Sequence, residues 1–121
     1  MTHRVIPVAP FDYVVFGGTG DLARRKLLPA LYHRLKDGQI PHGSRIIGAS
    51  RREMSDAAYR TMTREALDEF LPAADCDEAT TDTFLSMLFY ATVDAAGDDG
   101  WDSLAAMLHQ GEDKVRAFYL A

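Results

Sequence analysis

Apolar residues along this chain follow two alternating patterns. Short runs rich in β-branched and aromatic residues have the length and composition of buried strands. Four such runs predict strands at residues 13–16, 45–50, 88–93 and 115–121. Between them, apolar residues recur every three or four positions, which is the spacing of one helix face. The pattern therefore predicts strands that alternate with helices.

The helix after the first strand has an apolar face of four residues at helical spacing, Leu28, Leu31, Tyr32 and Leu35. Gly38 is placed to end this helix in a left-handed conformation. Pro29 lies inside it and cannot donate a backbone hydrogen bond. We therefore expect a kink or a break between a short first segment and the rest.

The remaining helices are predicted from the same spacing. Ser55 can cap a helix that Pro72 stops, and its apolar face comprises Tyr59, Met62, Ala66, Leu67 and Phe70. Residues 73–79 are acidic and predict a loop, followed by a short helical stretch around 83–87. A last helix has one apolar stripe of Trp101, Leu104, Ala105 and Leu108. The helix that Ser55 caps would cover one sheet face.

Alternating strands and helices with short connections imply right-handed crossovers and an open parallel sheet. We predict an α/β fold of the Rossmann type, a doubly wound parallel sheet with strand order 3-2-1-4 that is truncated after the fourth strand. Residues 11–121 would form one dinucleotide-binding domain, and residues 1–10 a flexible N-terminal segment. Because such a fold normally continues from this strand, we expect the chain to be part of a longer protein.

Composition narrows the function classes. The 121 residues carry a net charge of −5, so no positive field would attract nucleic acid in bulk. The only cysteine, Cys76, cannot form an intrachain disulfide and suits a reducing cytoplasm. The apolar stretch at 5–10 is too short and too rich in proline for a signal sequence or a membrane span. The four histidines are scattered without metal-ligand spacing, so we expect no metal site.

The first predicted strand runs into a glycine turn and then into a helix. Gly17, Gly18 and Gly20 place no side chain between the backbone and a ligand, so phosphate oxygens could approach N–H groups directly. A helix that begins near Asp21 directs its unpaired N–H groups and the positive end of its dipole at the same point. Ala23 would allow close packing of helix on strand. This arrangement is typical of a dinucleotide pyrophosphate site.

The longer string at 17–31, GGTGDLARRKLLPAL, resembles the signature of the glucose-6-phosphate dehydrogenase family, G-x-x-G-D-L-A followed by a basic triplet and a proline. Further matches keep the family order, at 36–38, 45–51 and 118–121. The resemblance is strongest before residue 72 and loose between 73 and 114.

The resemblance implies NADP as cofactor and assigns it eleven residues: Gly17, Gly18, Thr19, Gly20, Asp21, Leu22, Ala23, Arg24, Arg51, Arg52 and Asp94. Arg51 corresponds to the family's 2′-phosphate arginine, at the end of the second strand, where an NAD-specific fold would carry an acidic residue. Arg52 and Thr19 would assist it. A solvated arginine pair is the alternative for 51 and 52, and a simple turn residue is the alternative for Asp94.

Lys26 ends a basic triplet that is electrostatically unusual at a helix start, where cations are unfavourable without a nearby anion. The resemblance implies that Lys26 contacts the phosphorylated sugar, whereas Arg24 and Arg25 are either solvent-facing or, at Arg24, near the cofactor phosphates. The family's catalytic H-Y-x-x-K string is absent from these 121 residues. We therefore expect no catalytic residue here, and no turnover by this chain alone.

The resemblance implies a full-length enzyme that oxidises glucose 6-phosphate to 6-phosphogluconolactone with NADP, in the pentose phosphate pathway. We expect this enzyme to be a cytoplasmic homo-oligomer. We expect it to bind neither nucleic acid nor membranes. Two alternatives remain open. One is a non-catalytic NADP-binding sensor domain, and the other is a fragment of an atypical short-chain oxidoreductase.

Overall fold

The structure is a computed structural model that describes residues 9–94, 97–110 and 114–121. Its centre is one four-stranded sheet, in which every neighbouring pair is parallel and the order is β3-β2-β1-β4. The strands are β1 Phe11–Phe16, β2 Arg45–Ser50, β3 Leu88–Thr92 and β4 Val115–Leu120. The predicted Rossmann-type order is confirmed. The last two strands each end one residue earlier than predicted.

Four α-helices connect and cover the strands: α1 Leu28–Lys36, α2 Asp56–Phe70, α3 Glu78–Ser86 and α4 Trp101–His109. A π-helical segment, Ala23–Leu27, leads directly into α1, and a 3-10 turn spans Ala73–Asp75. The predicted caps are confirmed, because the Ser55 side chain accepts from the Ala58 N–H and Gly38 has a φ of +74°. Most of the predicted flexible segment, residues 1–8, lies outside the described residues, and the division at residue 11 stays a prediction.

The interruption expected at Pro29 takes the form of the π-helical segment rather than a break. The Leu28 N–H donates to the carbonyl of Ala23, five residues earlier, and Leu28 keeps helical backbone angles. Pro29 therefore follows directly after the π turn, as the second residue of α1. The wider π turn absorbs the change of register before the proline, and such turns are frequent at functional sites.

The loop predicted at 73–79 is wrong in its second half. Helix α3 begins at Glu78 because Asp77 caps it, its carboxylate accepting from the Thr80 N–H at 2.7 Å. This hydrogen bond and that from the Thr80 hydroxyl lower the pKa of Asp77. The Tyr32 hydroxyl accepts from the Asp77 N–H at 3.1 Å and so fixes the start of α3 against α1. An acidic stretch that looked like a loop thus contains a helix cap.

Two apolar layers sandwich the sheet. One face packs Val15 and Ile46 against buried residues of α1, α2 and α3, and the other packs Val14 and Ile47 against Leu104 and Leu108 of α4. The predicted stripe on α4 is too wide, because Ala105 is exposed and Trp101 is 37% exposed. No helix within the described residues is long and apolar enough to cross a bilayer.

Strand β4 is the exception to this coverage. Val115, Phe118 and Leu120 are 66%, 57% and 79% exposed, although β4 pairs with β1 along its whole length. Parallel strands are usually covered on both faces. In the described part of the chain, the apolar side chains of β4 are therefore left uncovered.

A buried ion pair joins β1 and β2 at the amino ends of the strands. Asp12 is fully buried, and its carboxylate accepts from Arg45 Nε at 2.9 Å and Arg45 Nη2 at 2.7 Å. The Arg45 guanidinium also donates to the Met107 carbonyl at 2.7 Å, and Lys114 Nζ lies 3.7 Å from Asp12. The hydrogen bond to Asp12 raises the pKa of Arg45. This cluster fastens β1, β2 and α4 to each other.

We predict that Asp12→Ala lowers the free energy of unfolding by about 3 kcal/mol or more, because it leaves Arg45 without its buried counterion. Chemical denaturation measures this loss. Glu69→Ala is the control: it removes an exposed ion pair with Arg24 at 3.8 Å and should cost less than about 1 kcal/mol. Equal, small losses for both variants would contradict a structural role for the buried pair.

Candidate cofactor site

The carboxyl ends of β1, β2 and β3 meet at one edge of the sheet, where ligands bind in open α/β folds. A concavity of about 380 Å³ opens there. It is lined by Phe16, Gly17, Ala49, Ser50, Arg51, Val93 and Asp94. Three of the predicted cofactor residues, Gly17, Arg51 and Asp94, are thus brought together from three different strand ends.

A second concavity of about 370 Å³ contains three more of the predicted residues, Thr19, Arg24 and Arg52. The neighbouring arginines 51 and 52 therefore line different spaces, and both are exposed. Lys26 is exposed on the π segment and lines neither concavity. Its predicted contact with a sugar phosphate stays a prediction.

The glycine turn is fastened to β2 by its own backbone. The N–H groups of Gly17 and Gly18 both donate to the Ala49 carbonyl, at 2.8 and 3.2 Å, and the Gly20 N–H donates to the Gly17 carbonyl at 2.9 Å. The N–H groups of these three glycines are therefore already hydrogen-bonded within the fold. The glycines provide space and shape, and the donors for an anion must come from elsewhere.

Those donors lie at the start of the helix. The Arg24 N–H donates to the Gly20 carbonyl at 3.1 Å, which closes the first helical turn. The N–H groups of Asp21, Leu22 and Ala23 precede this bond and lie at the open amino end of the helix. Because the helix dipole adds positive potential at the same place, this end suits a pyrophosphate. The site therefore fits the predicted dinucleotide.

The side chains of this first turn leave that end open. Asp21 is exposed and pairs with Arg25 at 3.4 Å, and Leu22 is 46% exposed. Ala23 is fully buried in the core, as its small size predicted. Arg24 approaches Glu69 at 3.8 Å, while its Nε atom is buried without a hydrogen-bond partner.

Gly18 and Gly48 allow the glycine turn, β2 and Tyr59 to approach one another closely. A Cβ atom on Gly18 would lie 2.9 Å from Gly48 Cα and 2.9 Å from the Tyr59 hydroxyl. That hydroxyl donates to the Gly18 carbonyl at 3.0 Å, and burial raises the pKa of Tyr59, which keeps it a neutral donor. A Cβ atom on Gly48 would overlap the Tyr59 ring at 2.3 Å. Two glycines and one tyrosine therefore set the distance between the turn and β2.

A chain of hydroxyl groups connects the turn to the end of β2. The Thr19 hydroxyl donates to Ser50 Oγ at 3.2 Å, and Ser50 Oγ lies 2.5 Å from the Tyr90 hydroxyl. The Tyr90 hydroxyl donates to the Arg52 carbonyl. Because the Tyr90 proton is used in that bond, Ser50 is the donor to Tyr90.

Asp94 lies in the turn that follows β3. Its backbone is part of a turn, where its N–H donates to the Asp99 carbonyl at 2.9 Å and its carbonyl accepts from the Trp101 indole N–H at 3.1 Å. The residue also lines the concavity that holds Arg51. Its contact with a cofactor stays a prediction.

Comparison with known proteins identifies the family. The family model described as glucose-6-phosphate dehydrogenase, NAD binding domain, matches residues 14–121. The chain belongs to the glucose-6-phosphate dehydrogenase family. This membership confirms the resemblance that the glycine string indicated, and it does not favour the sensor or the short-chain oxidoreductase.

Relatives and solved structures agree with this assignment. The chain is 54% identical over its whole length to glucose-6-phosphate 1-dehydrogenase of Rhizobium meliloti (strain 1021), and 47% identical over 94% of its length to that of Gluconobacter oxydans (strain 621H). It spans 25% and 24% of these proteins. A solved glucose-6-phosphate dehydrogenase in complex with its substrate glucose-6-phosphate superimposes with a TM-score of 0.79, at 28% identity, over 95% of this chain and 25% of that one.

Four residues of the site, Gly48, Ser50, Tyr59 and Tyr90, were not predicted as functional. Gly48 carried a usable signal, since a glycine inside a strand often marks a close approach of another backbone. Tyr59 and Tyr90 matched apolar positions of a helix and a strand, and nothing in that pattern indicates where a hydroxyl points. In residues 9–94, 97–110 and 114–121, no group of three or more His, Cys, Asp or Glu could hold a metal ion.

We predict that Gly20→Val abolishes dinucleotide binding and leaves the melting transition nearly unchanged. Gly20 is exposed, and a Cβ atom there meets only the Gly17 carbonyl, at 3.2 Å. The added side chain would therefore occupy ligand space rather than the core. No left-handed backbone conformation is disturbed, because the positive φ in this turn, +79°, belongs to Gly17. Calorimetric titration and thermal melting measure the two effects.

Gly18→Ala is the matched control. One methyl group there overlaps Gly48 and Tyr59, so it should destabilise the fold by about 1–3 kcal/mol. Unchanged affinity in Gly20→Val would mean that the glycine turn is only structural.

Proposed function

We propose that this chain is the NADP-binding part of an enzyme that oxidises glucose 6-phosphate to 6-phosphogluconolactone. The observation that carries the proposal is the carboxyl-edge concavity in which Gly17, Arg51 and Asp94 meet beside an open helix start. The names of the relatives and the substrate bound in the solved complex support the same reaction. Because the chain spans a quarter of those proteins, the activity of the whole protein is part of the proposal.

The preference for NADP over NAD rests on charge at the end of β2. The turn after Ser50 presents Arg51 and Arg52, both exposed, where a reader of the ribose 2′-hydroxyl would be acidic. A 2′-phosphate can accept charge-assisted hydrogen bonds from a guanidinium, whereas a 2′-hydroxyl gains little from one. Glu53 follows the pair and is exposed beyond it.

The residues of this chain would bind and orient, and would not transfer protons. The open N–H groups at 21–23 would hold the pyrophosphate, Arg51 the 2′-phosphate, and Asp94 would border the adenosine half. Lys26 would contact the sugar phosphate. When bound, NADP accepts the hydride that leaves C1 of the sugar, while the C1 hydroxyl gives its proton to a base that these 121 residues do not carry.

The finer assignments belong to this proposal as well. We place the enzyme in the cytoplasm and in the pentose phosphate pathway, as a homo-oligomer that binds neither nucleic acid nor membranes. The lone Cys76 and the net charge of −5 support the compartment and the absence of bulk nucleic-acid binding.

In the intact protein, we predict NADPH formation with glucose 6-phosphate and a selective defect in Arg51→Ala. A charge-assisted hydrogen bond contributes about 1.5–3 kcal/mol, so the KM for NADP should rise roughly ten- to a hundredfold while kcat at saturating NADP changes little. Raising the salt concentration should shrink the preference for NADP in the wild type and scarcely in the variant.

NAD provides the internal control, because it lacks the 2′-phosphate and should be affected far less. Arg52→Ala tests whether the neighbouring arginine, which lines the other concavity, has the same role. An equal loss for NAD and NADP in Arg51→Ala would sink the assignment of Arg51, and no NADPH formation by the wild type would sink the proposed reaction.

A further inference from the structure

Tyr90 connects β3 to the turn that carries the two arginines. It is only 6% exposed and lines neither concavity. Its hydroxyl accepts from Ser50 Oγ at 2.5 Å and donates to the Arg52 carbonyl. Ser50 Oγ in turn accepts from the Arg52 N–H at 3.3 Å. One buried phenol therefore binds the Ser50 side chain before Arg51 and the Arg52 carbonyl after it.

Tyr90 is itself held in place from two directions. Its backbone N–H donates to Asp56 Oδ1 at 2.7 Å, in the first turn of α2. Its ring packs against Tyr59, with the ring centroids 5.1 Å apart. A residue fixed at both its backbone and its ring can hold the turn rigidly.

The two tyrosines serve two different loops. Tyr59 donates to the Gly18 carbonyl of the glycine turn, whereas Tyr90 donates to the Arg52 carbonyl of the arginine turn. In a dinucleotide site the first loop faces the pyrophosphate, which NAD and NADP share. The second loop faces the ribose 2′ position, where they differ. Loss of either hydroxyl should therefore have a different effect on the two cofactors.

We propose that Tyr90 is a positioning residue that sets the preference for a 2′-phosphate over a 2′-hydroxyl, by holding the 50–52 turn so that Arg51 points into the carboxyl-edge concavity. The proposal rests on the NADP-binding function proposed above. It assigns specificity to a side chain that does not itself touch the cofactor.

The test is Tyr90→Phe in the intact protein, with calorimetric affinities for NADP and NAD. Removing one hydroxyl keeps the ring in the core and takes away the donor that holds the Arg52 carbonyl. We expect affinity for NADP to fall about three- to tenfold and affinity for NAD to change less than twofold. In an Arg51→Ala background, the same substitution should have almost no further effect on NADP.

Tyr59→Phe is the matched control and should weaken both cofactors equally, because it acts on the glycine turn. Ser50→Ala is the second variant if Tyr90→Phe unfolds, since it cuts the same chain of hydrogen bonds and should show the same selective loss. Equal losses for NADP and NAD in Tyr90→Phe or Ser50→Ala, or unchanged affinities, would overturn the proposal. A nonselective Arg51→Ala would instead overturn the cofactor assignment on which it rests.

Discussion

Gly18 lies against Gly48, and the rest of the site depends on this contact. A Cβ atom at Gly18 would lie 2.9 Å from Gly48 Cα, so neither position accepts a side chain without moving the strand or Tyr59. Tyr59 fills the remaining space and binds the Gly18 carbonyl. The glycine turn therefore has one position relative to β2, and the helix that follows must begin where its open N–H groups meet the edge of the sheet.

The amino edge and the carboxyl edge of the sheet differ in how their charged side chains are paired. At the amino edge, cations are paired with a buried carboxylate: Asp12 is fully buried between Arg45 and Lys114. At the carboxyl edge, Arg51 and Arg52 are exposed beside a helix start, so positive potential is left for a ligand. Stability and binding are thus supplied by separate groups. Because of this separation, the effect of a substitution at the amino edge on stability can be interpreted independently of cofactor binding at the carboxyl edge.

Periodicity in the sequence was sufficient for the number and approximate position of the strands and for the position of the glycine turn, because short apolar runs and glycines act locally. The strand order followed from the Rossmann-type fold that the alternation of strands and helices indicated. Periodicity was not sufficient for hydrogen bonds between residues that are far apart in the sequence. Strand pairing brings the Ala49 carbonyl to the N–H groups of Gly17 and Gly18. It also brings Tyr90 to its hydrogen-bond partners about 40 positions earlier. The cap at Asp77 was missed because its acidic neighbours resemble a loop.

The most direct test of this account is a crystal structure of the intact protein with NADP. We predict the pyrophosphate at the N–H groups of residues 21–23, with the 2′-phosphate within hydrogen-bond distance of the Arg51 guanidinium and the Tyr90 hydroxyl still bound to the Arg52 carbonyl. A cofactor bound away from the carboxyl edge, or a 2′-phosphate that no arginine of the 50–52 turn contacts, would contradict it.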